Sequence, residues 1–258
     1  MEDWGQVARD ISDWISHYAH RNGLEALVVG VSGGVDSAVT STLTAMTGIR
    51  TIVVNMPIHQ DEAQYDLSNL HIEWLLSKWR NVERAKIDLS NTFDELCSDL
   101  DGHIVTELSL ANTRARLRMT ALFAIAGSNN GIVVGTGNKV EDFGIGFFTK
   151  YGDGGVDISP IADLFKSDVY SIGEELGVIS EVLDAAPTDG LWNDGRTDED
   201  QIGATYEEIE WAMKESAKPS SRDLSERERK VLDIYQRLNK SNSHKMDPIP
   251  VFKLYPDD

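Results

Sequence analysis

The sequence has one cysteine, Cys97, in 258 residues. A single thiol excludes an internal disulfide, a cysteine-ligated metal cluster and a dithiol redox pair. Basic residues are scarce: 24 lysines and arginines stand against 43 acidic residues, for a formal net charge of -19. A chain that grips long nucleic acid carries a basic face. The nearest cluster here, Arg114, Arg116 and Arg118, is small, so no nucleic-acid partner is expected. No apolar run approaches the ~20 residues that span a bilayer. The start, Met1-Glu2-Asp3-Trp4, lacks the basic-then-apolar order of a signal peptide. A cytoplasmic protein without a membrane partner is expected. Internal repeats, G-x-S-x-G and H-E-x-x-H are also missing. An anionic substrate of so acidic a chain must be met by a few local cations or by Mg²⁺.

What is present is an alternation. Trp4, Val7, Ile11, Trp14, Ile15 and Tyr18 recur at helical spacing over residues 3–20. Ala26-Leu27-Val28-Val29-Gly30-Val31 is a short valine-rich run, as expected of a strand buried on both faces. A helix is predicted over 36–46, with Gly48 just past its end. Strands at 51–56, 82–89 and 131–135 alternate with helices at 61–79 and 106–126, which implies crossover units and a parallel sheet. Residues 136–160 are glycine-rich, charged and aperiodic, as working loops are. Helices are predicted again at 161–176, 199–216 and 223–239. The polar stretch 188–200 between them is expected to be mobile. YEEIEWAM, from Tyr206 to Met213, reads as core on one side and a solvated face on the other.

The most informative segment is Gly30-Val31-Ser32-Gly33-Gly34-Val35-Asp36-Ser37, between a buried strand and a helix. Gly33 and Gly34 admit backbone angles closed to other residues and let a ligand approach the main chain. Consecutive N–H groups there can form an anion nest with a helix N-terminus behind it. Ser32 and Ser37 add hydroxyls. Asp36 would repel a phosphate unless it holds a Mg²⁺ between itself and the phosphates. No Lys-Ser/Thr pair follows the glycines and no G-x-G-x-x-G spacing is present, so this is neither a Walker loop nor a dinucleotide fingerprint. A plain glycine turn is the bland alternative. It leaves the coincidence of two serines, two glycines and an aspartate at the end of a parallel strand unexplained.

SGGVDS resembles the SGG-x-DS pyrophosphate loop of the ATP pyrophosphatases, which include NAD, GMP and asparagine synthetases and tRNA-thiolating enzymes. A second block, GTGNKVEDFGIGFFTKYGDGGVDISPIADLFK at 135–166, resembles the NAD synthetases in particular. The similarity continues through Asn112-Thr113-Arg114-Ala115-Arg116, Ala186-Pro187-Thr188 and His244-Lys245, and so covers nearly the whole chain. It implies one NAD synthetase domain over 1–258, with an ATP-binding α/β core at about 24–187 and a helical, lid-like C-terminal part at about 188–258. The implied fold is a five-stranded parallel sheet between helical layers, Rossmann-like and of the adenine-nucleotide alpha-hydrolase type.

The resemblance also implies roles. Residues 30–37, Thr136, Lys166 and Thr188 would contact ATP, with Asp36 and Lys166 central to catalysis. Arg116, Lys150, Asp157, His244 and Lys245 would contact deamido-NAD. Mg²⁺ would be held by Asp36 and a second carboxylate. Counting forward from Thr136 gives Glu141; counting back from Lys150 gives Asp142, because this sequence has one residue more in that stretch than the shorter family version. Glu141 is preferred and Asp142 is the alternative. The chemistry suits these residue types, since Lys166 is a point charge for phosphate and Arg116 and Lys150 suit anionic groups. Read singly, each has a bland alternative as a surface or loop charge; only the joint pattern lifts them.

The implied reaction joins ammonia to deamido-NAD through an acyl-adenylate, releasing AMP and pyrophosphate. Segments 136–160 and 188–200 would close over the substrates. Glutamine-using relatives carry an extra amidohydrolase domain with a catalytic cysteine. Cys97 lies among acidic residues that disfavour a thiolate, so free ammonia is the expected donor. A homodimer is implied by the family. Two rivals remain: another ATP pyrophosphatase acting on tRNA, and a non-catalytic adenine-nucleotide sensor.

Overall fold

The structure is a computed structural model and describes residues 2–60, 62–102, 105–188 and 197–254. Its centre is a parallel sheet of four strands, β1 (Ala26–Gly30), β2 (Arg50–Asn55), β3 (Val82–Lys86) and β4 (Gly131–Val133), in the order β3-β2-β1-β4. β1 is central and Ala26, Leu27, Val28 and Val29 are all inaccessible to solvent, as the unbroken apolar run requires. Alternate side chains serve opposite faces. Leu27 and Val29 pack with α1 (Trp4–Arg21), α2 (Val35–Met46) and α6 (Lys166–Glu175). Val28, Ile52 and Val54 pack against Met119, Leu122 and Ala126 of α5 (Glu107–Ser128). α3 (Glu62–Lys78) sets Ile72 and Leu75 on Val53, on the α2 side.

The expected fifth strand is not formed among the described residues. In its place Ile158 makes a single parallel bridge with Val134. Asp157 N–H donates to Val133 O at 3.0 Å, and Gly135 N–H donates to Ile158 O at 2.8 Å. Gly154 and Gly155 precede this pair and Pro160, which has no N–H, follows it, so the ladder cannot extend.

Other differences have local causes. Trp14 and Tyr18 stay outside α1, their rings 6.1 Å apart, while Ala8, Ile15 and Ala19 face the core. α4 (Ser90–Asp99) is a helix that the periodicity misses, since Phe93 is its one buried residue. The third strand stops at Lys86 rather than residue 89, and α6 starts at Lys166, after turns at 161–164. Gly48, at φ +75°, does follow the end of α2 in the left-handed region.

The aperiodic 136–160 stretch contains a π-helix, Lys139–Ile145. Turns with i→i+5 hydrogen bonds are rare and short, and are frequent at functional sites. Val140 and Ile145 pack with Ile202, Tyr206, Ile209 and Val231. These belong to or adjoin α8 (Asp198–Ile202), α9 (Tyr206–Ala217) and α10 (Glu226–Met246); α7 (Ser180–Leu183) lies beside α2. The π-helix thus sits between the sheet core and the C-terminal helices.

Candidate active site

After β1 the chain turns outward and β4 lies on the far side of β1 from β2. Strand order reverses there, and open α/β sheets hold ligands at such a point, beyond the carboxyl ends of the strands. A cavity of about 670 Å³ opens at this place, within the 300–1,000 Å³ typical of ligand sites.

The loop after β1 forms its floor. Gly33 has φ +95°, and a Cβ there would lie 2.8 Å from Gln64 O and 3.1 Å from Ser68 N on α3. Only glycine fits so close to a neighbouring helix with that backbone. Ser37 Oγ donates to Gly34 O at 2.9 Å and accepts from Ser32 N–H at 3.2 Å, so the turn is braced from within. Gly34 is the N-cap of α2 and offers no side-chain cap. The first N–H groups of α2 therefore face the cavity without a side-chain acceptor, as an anion site requires.

Three charged side chains meet above this floor. Lys166 Nζ donates to Asp36 Oδ2 at 2.5 Å and to Glu141 Oε1 at 3.0 Å. Burial opposes the charge on Lys166, but the two carboxylates outweigh it and hold the amine protonated well past neutral pH. Burial raises the Asp36 carboxyl; the Lys166 ammonium opposes this and Glu141 adds to it. For Glu141 burial also pushes upward, yet Lys166 and the Tyr206 hydroxyl together bring its carboxyl below the usual range. Asn138 locks the group from behind. Its Nδ2 donates to Asp36 Oδ1 at 3.1 Å, and its Oδ1 accepts from the N–H groups of Val140 and Glu141, capping the π-helix.

The two ways of counting lead to two differently placed carboxylates. Glu141, in register with Thr136, turns to Asp36 and Lys166. Asp142 turns the other way, onto Gly137, where a Cβ would collide with its carboxylate. Burial, then Glu141, Asp153 and Asp36, push the Asp142 carboxyl well above its ordinary range. Asp36 and Glu141 converge on one cation, here the lysine ammonium. A pair of hard oxygen donors completed by substrate phosphates is what Mg²⁺ uses, so the residues fit that ion. No set of three or more His, Cys, Asp or Glu among the described residues fits a metal on protein ligands alone.

The other expected residues divide. Thr136 and Thr188 line the cavity, as do Arg116, Lys150, His244 and Lys245. These last four form a second cluster: Arg116 Nε donates to Lys150 O at 3.2 Å, Lys150 Nζ to His244 O at 2.6 Å, and Lys245 Nζ to Phe148 O at 2.7 Å. They bring α5, the post-π loop and the end of α10 together. Asp157 does not line the cavity; its Oδ2 accepts from Val133 N–H at 2.7 Å. Segment 189–196 of the expected second lid lies outside the described residues.

Sequence reasoning missed Asn138, Arg118 and Tyr206. Arg118 lines the cavity and donates to Met56 O at 2.9 Å, and burial first, then Arg114, draws its guanidinium down to about 10. Tyr206 is buried, as the YEEIEWAM periodicity predicts. That periodicity carries no signal that the hydroxyl reaches Glu141, and Glu210 of the supposed solvated face is buried too.

An NH(3)-dependent NAD(+) synthetase of Alkaliphilus metalliredigens is 37% identical over 97% of this chain and 99% of that protein. One of Finegoldia magna is 32% identical over 93% and 96%. Among solved structures, NMN synthetase from Francisella tularensis superposes with a TM-score of 0.87 at 30% identity, covering 99% of this chain and all of that one. The NH3-dependent NAD synthetase of Campylobacter jejuni gives a TM-score of 0.79 at 22% identity over 98% and 100%, which supports the shared fold. The family profile described as NAD synthase matches residues 7–248, and the chain belongs to the NAD synthase family.

Proposed function

We propose that this chain is an ATP-dependent ligase that amidates deamido-NAD with ammonia, giving NAD, AMP and pyrophosphate. The observation that carries the reading is the meeting of Asp36, Lys166 and Glu141 over the glycine loop at residues 32–34, at the mouth of one cavity. The loop N–H groups and α2 N-terminus bind the β- and γ-phosphates, where charge accumulates as pyrophosphate departs. Lys166 is the cation of that site and neutralises the leaving group. Asp36 and Glu141 hold Mg²⁺, which when bound supplies further charge neutralisation along the phosphates. Thr136 and Thr188 contact ATP.

Arg116, Lys150, His244 and Lys245 bind deamido-NAD, and Asp157 supports the site from behind by accepting from Val133 N–H at the end of β4. The substrate carboxylate is thereby aligned with the α-phosphorus, and alignment supplies much of such a barrier reduction. The nicotinate carboxylate displaces pyrophosphate to give an acyl-adenylate, which ammonia then attacks, expelling AMP. Segment 136–160 excludes water from the adenylate. Unchanged hydrogen exchange there on adding ATP and deamido-NAD would contradict that role. A cytoplasmic setting and a homodimer, with Leu108 and Phe123 exposed along α5, complete the proposal. Light scattering at micromolar concentration tests the dimer.

A second reading follows from the likeness to NMN synthetase: the acid amidated is the mononucleotide. One experiment separates all of these. The protein is incubated with Mg-ATP, ammonium and either deamido-NAD or nicotinate mononucleotide, and NAD, nicotinamide mononucleotide and pyrophosphate are quantified. The expected result is a higher kcat/KM for deamido-NAD. Preference for the mononucleotide would establish the second reading, and nucleotide binding without any amide product would refute both.

A further inference from the structure

Tyr206 opens α9, outside the phosphate loop and the 135–166 block, and only 6% of its surface is exposed. Its hydroxyl lies 2.6 Å from Glu141 Oε1 and 3.2 Å from Asp198 Oδ2. A phenol has one proton to give, and the shorter contact places it on Glu141. Glu141 Oε1 thus accepts from both Tyr206 and Lys166, while the Lys166 ammonium sits 4.8 Å from the centre of the Tyr206 ring. The same tyrosine therefore orients the carboxylate through its hydroxyl and the ammonium through its π face.

The tyrosine is itself held. Thr205 caps α9 in a reciprocal box with Glu208, Glu208 makes a two-pronged pair with Arg227 of α10, and Tyr206 N–H donates to Glu199 Oε1 at 2.9 Å. One turn further along α9, buried Glu210 accepts from Ser167 N–H at 2.9 Å and from Ser167 Oγ at 2.7 Å, fixing the residue next to Lys166. A single face of α9 thus sets both Glu141 and the start of α6.

We infer that Tyr206 is a positioning residue: its hydroxyl holds Glu141 in the orientation that receives the divalent cation, and so sets the cation affinity of the ATP-bound protein. The inference rests on Glu141 being a metal ligand. Groups that orient a ligating carboxylate typically change metal affinity ~10–100-fold when removed. The ring over Lys166 remains in Tyr206→Phe, so that variant isolates the hydroxyl.

The test is Mn²⁺ binding, followed by electron paramagnetic resonance, to the full chain saturated with α,β-methylene-ATP. Wild type, Tyr206→Phe and Glu141→Gln are compared, together with the Mg²⁺ concentration at half-maximal rate. Tyr206→Phe is expected to weaken Mn²⁺ binding about tenfold or more, with kcat at saturating Mg²⁺ within about threefold of wild type. A merely structural tyrosine would lower the active fraction and leave the Mn²⁺ affinity alone. If Glu141→Gln weakens Mn²⁺ binding and Tyr206→Phe does not, the positioning role is overturned. If neither variant shifts it, Glu141 is no ligand and the inference falls with that assignment.

Discussion

Lys166 and Asp36 lie 130 residues apart in the chain, yet their side chains meet at 2.5 Å, with the lysine 95% removed from solvent. Glu141 closes the other side of the same ammonium. Two carboxylates sharing one cation in so dry a place make the cluster itself net negative. A buried charge without a partner is costly. The cluster is thus suited to a site whose cation count changes when a metal-bound polyphosphate arrives.

Lys166→Met should lower kcat about 10²–10³-fold, as loss of a group that stabilises transition-state charge does. It should also lower stability by about 3 kcal/mol, because two carboxylates lose their shared cation. Adding Mg²⁺ should restore part of that loss. Steady-state kinetics and urea melts with and without Mg²⁺ check both; unchanged kcat would refute the charge role.

Gly33→Ala should cost about 1–3 kcal/mol of stability through its left-handed backbone. The Cβ would also press on Gln64 O and Ser68 N, so α3 must move away from the loop. ATP binding by calorimetry should be lost while the far-ultraviolet circular dichroism stays native.

Lys150→Ala should raise KM for deamido-NAD about tenfold with kcat changed less than threefold, because its charge sits in the second cluster and away from the phosphate loop. Removing binding shared by ground and transition states acts on KM alone. An equal fall in kcat would place Lys150 in the chemical step.

His71 gives a pH prediction independent of the site. It is fully buried, with Nε2 3.0 Å from Ser41 Oγ and its ring stacked on Trp74. Burial draws its pKa down to about 4, against about 6.5 in an unfolded chain. Between these values the unfolded state binds more protons, so stability rises with pH. The contribution is complete above about pH 6.5 and is lost as pH falls toward 4, up to about 3 kcal/mol in all. Urea midpoints at pH 7 and 5 should differ in wild type and differ less in His71→Leu.

Much of the fold is legible in the residues. Three strands announce themselves as short apolar runs because a parallel sheet buries both faces, whereas the edge strand Val82–Lys86 buries only Val82 and signals weakly; the loop at 30–37 is visible because glycine, serine and aspartate rarely coincide without a ligand. The π-helix is not legible, since its period matches neither template and its glycines read as loop. α4 carries one buried residue and so no periodic signal. Within the site, local motifs locate Asp36, Glu141 and Lys166. The hydrogen bonds that orient them join distant segments that no local pattern encodes: Asn138 reaches back to Asp36 on α2, and Tyr206 reaches Glu141 through the docking of α9 against the π-helix. Asp157 shows the converse: a motif residue whose carboxylate is taken up by the backbone of β4.

The decisive measurement follows an oxygen atom. Deamido-NAD labelled with ¹⁸O in its carboxylate is turned over with Mg-ATP and ammonium, and the AMP is analysed by mass spectrometry. If the carboxylate attacks the α-phosphorus held over residues 30–37, one labelled oxygen appears in AMP for each NAD formed, and none appears in pyrophosphate. Unlabelled AMP, or release of ADP and phosphate in place of AMP and pyrophosphate, would contradict it.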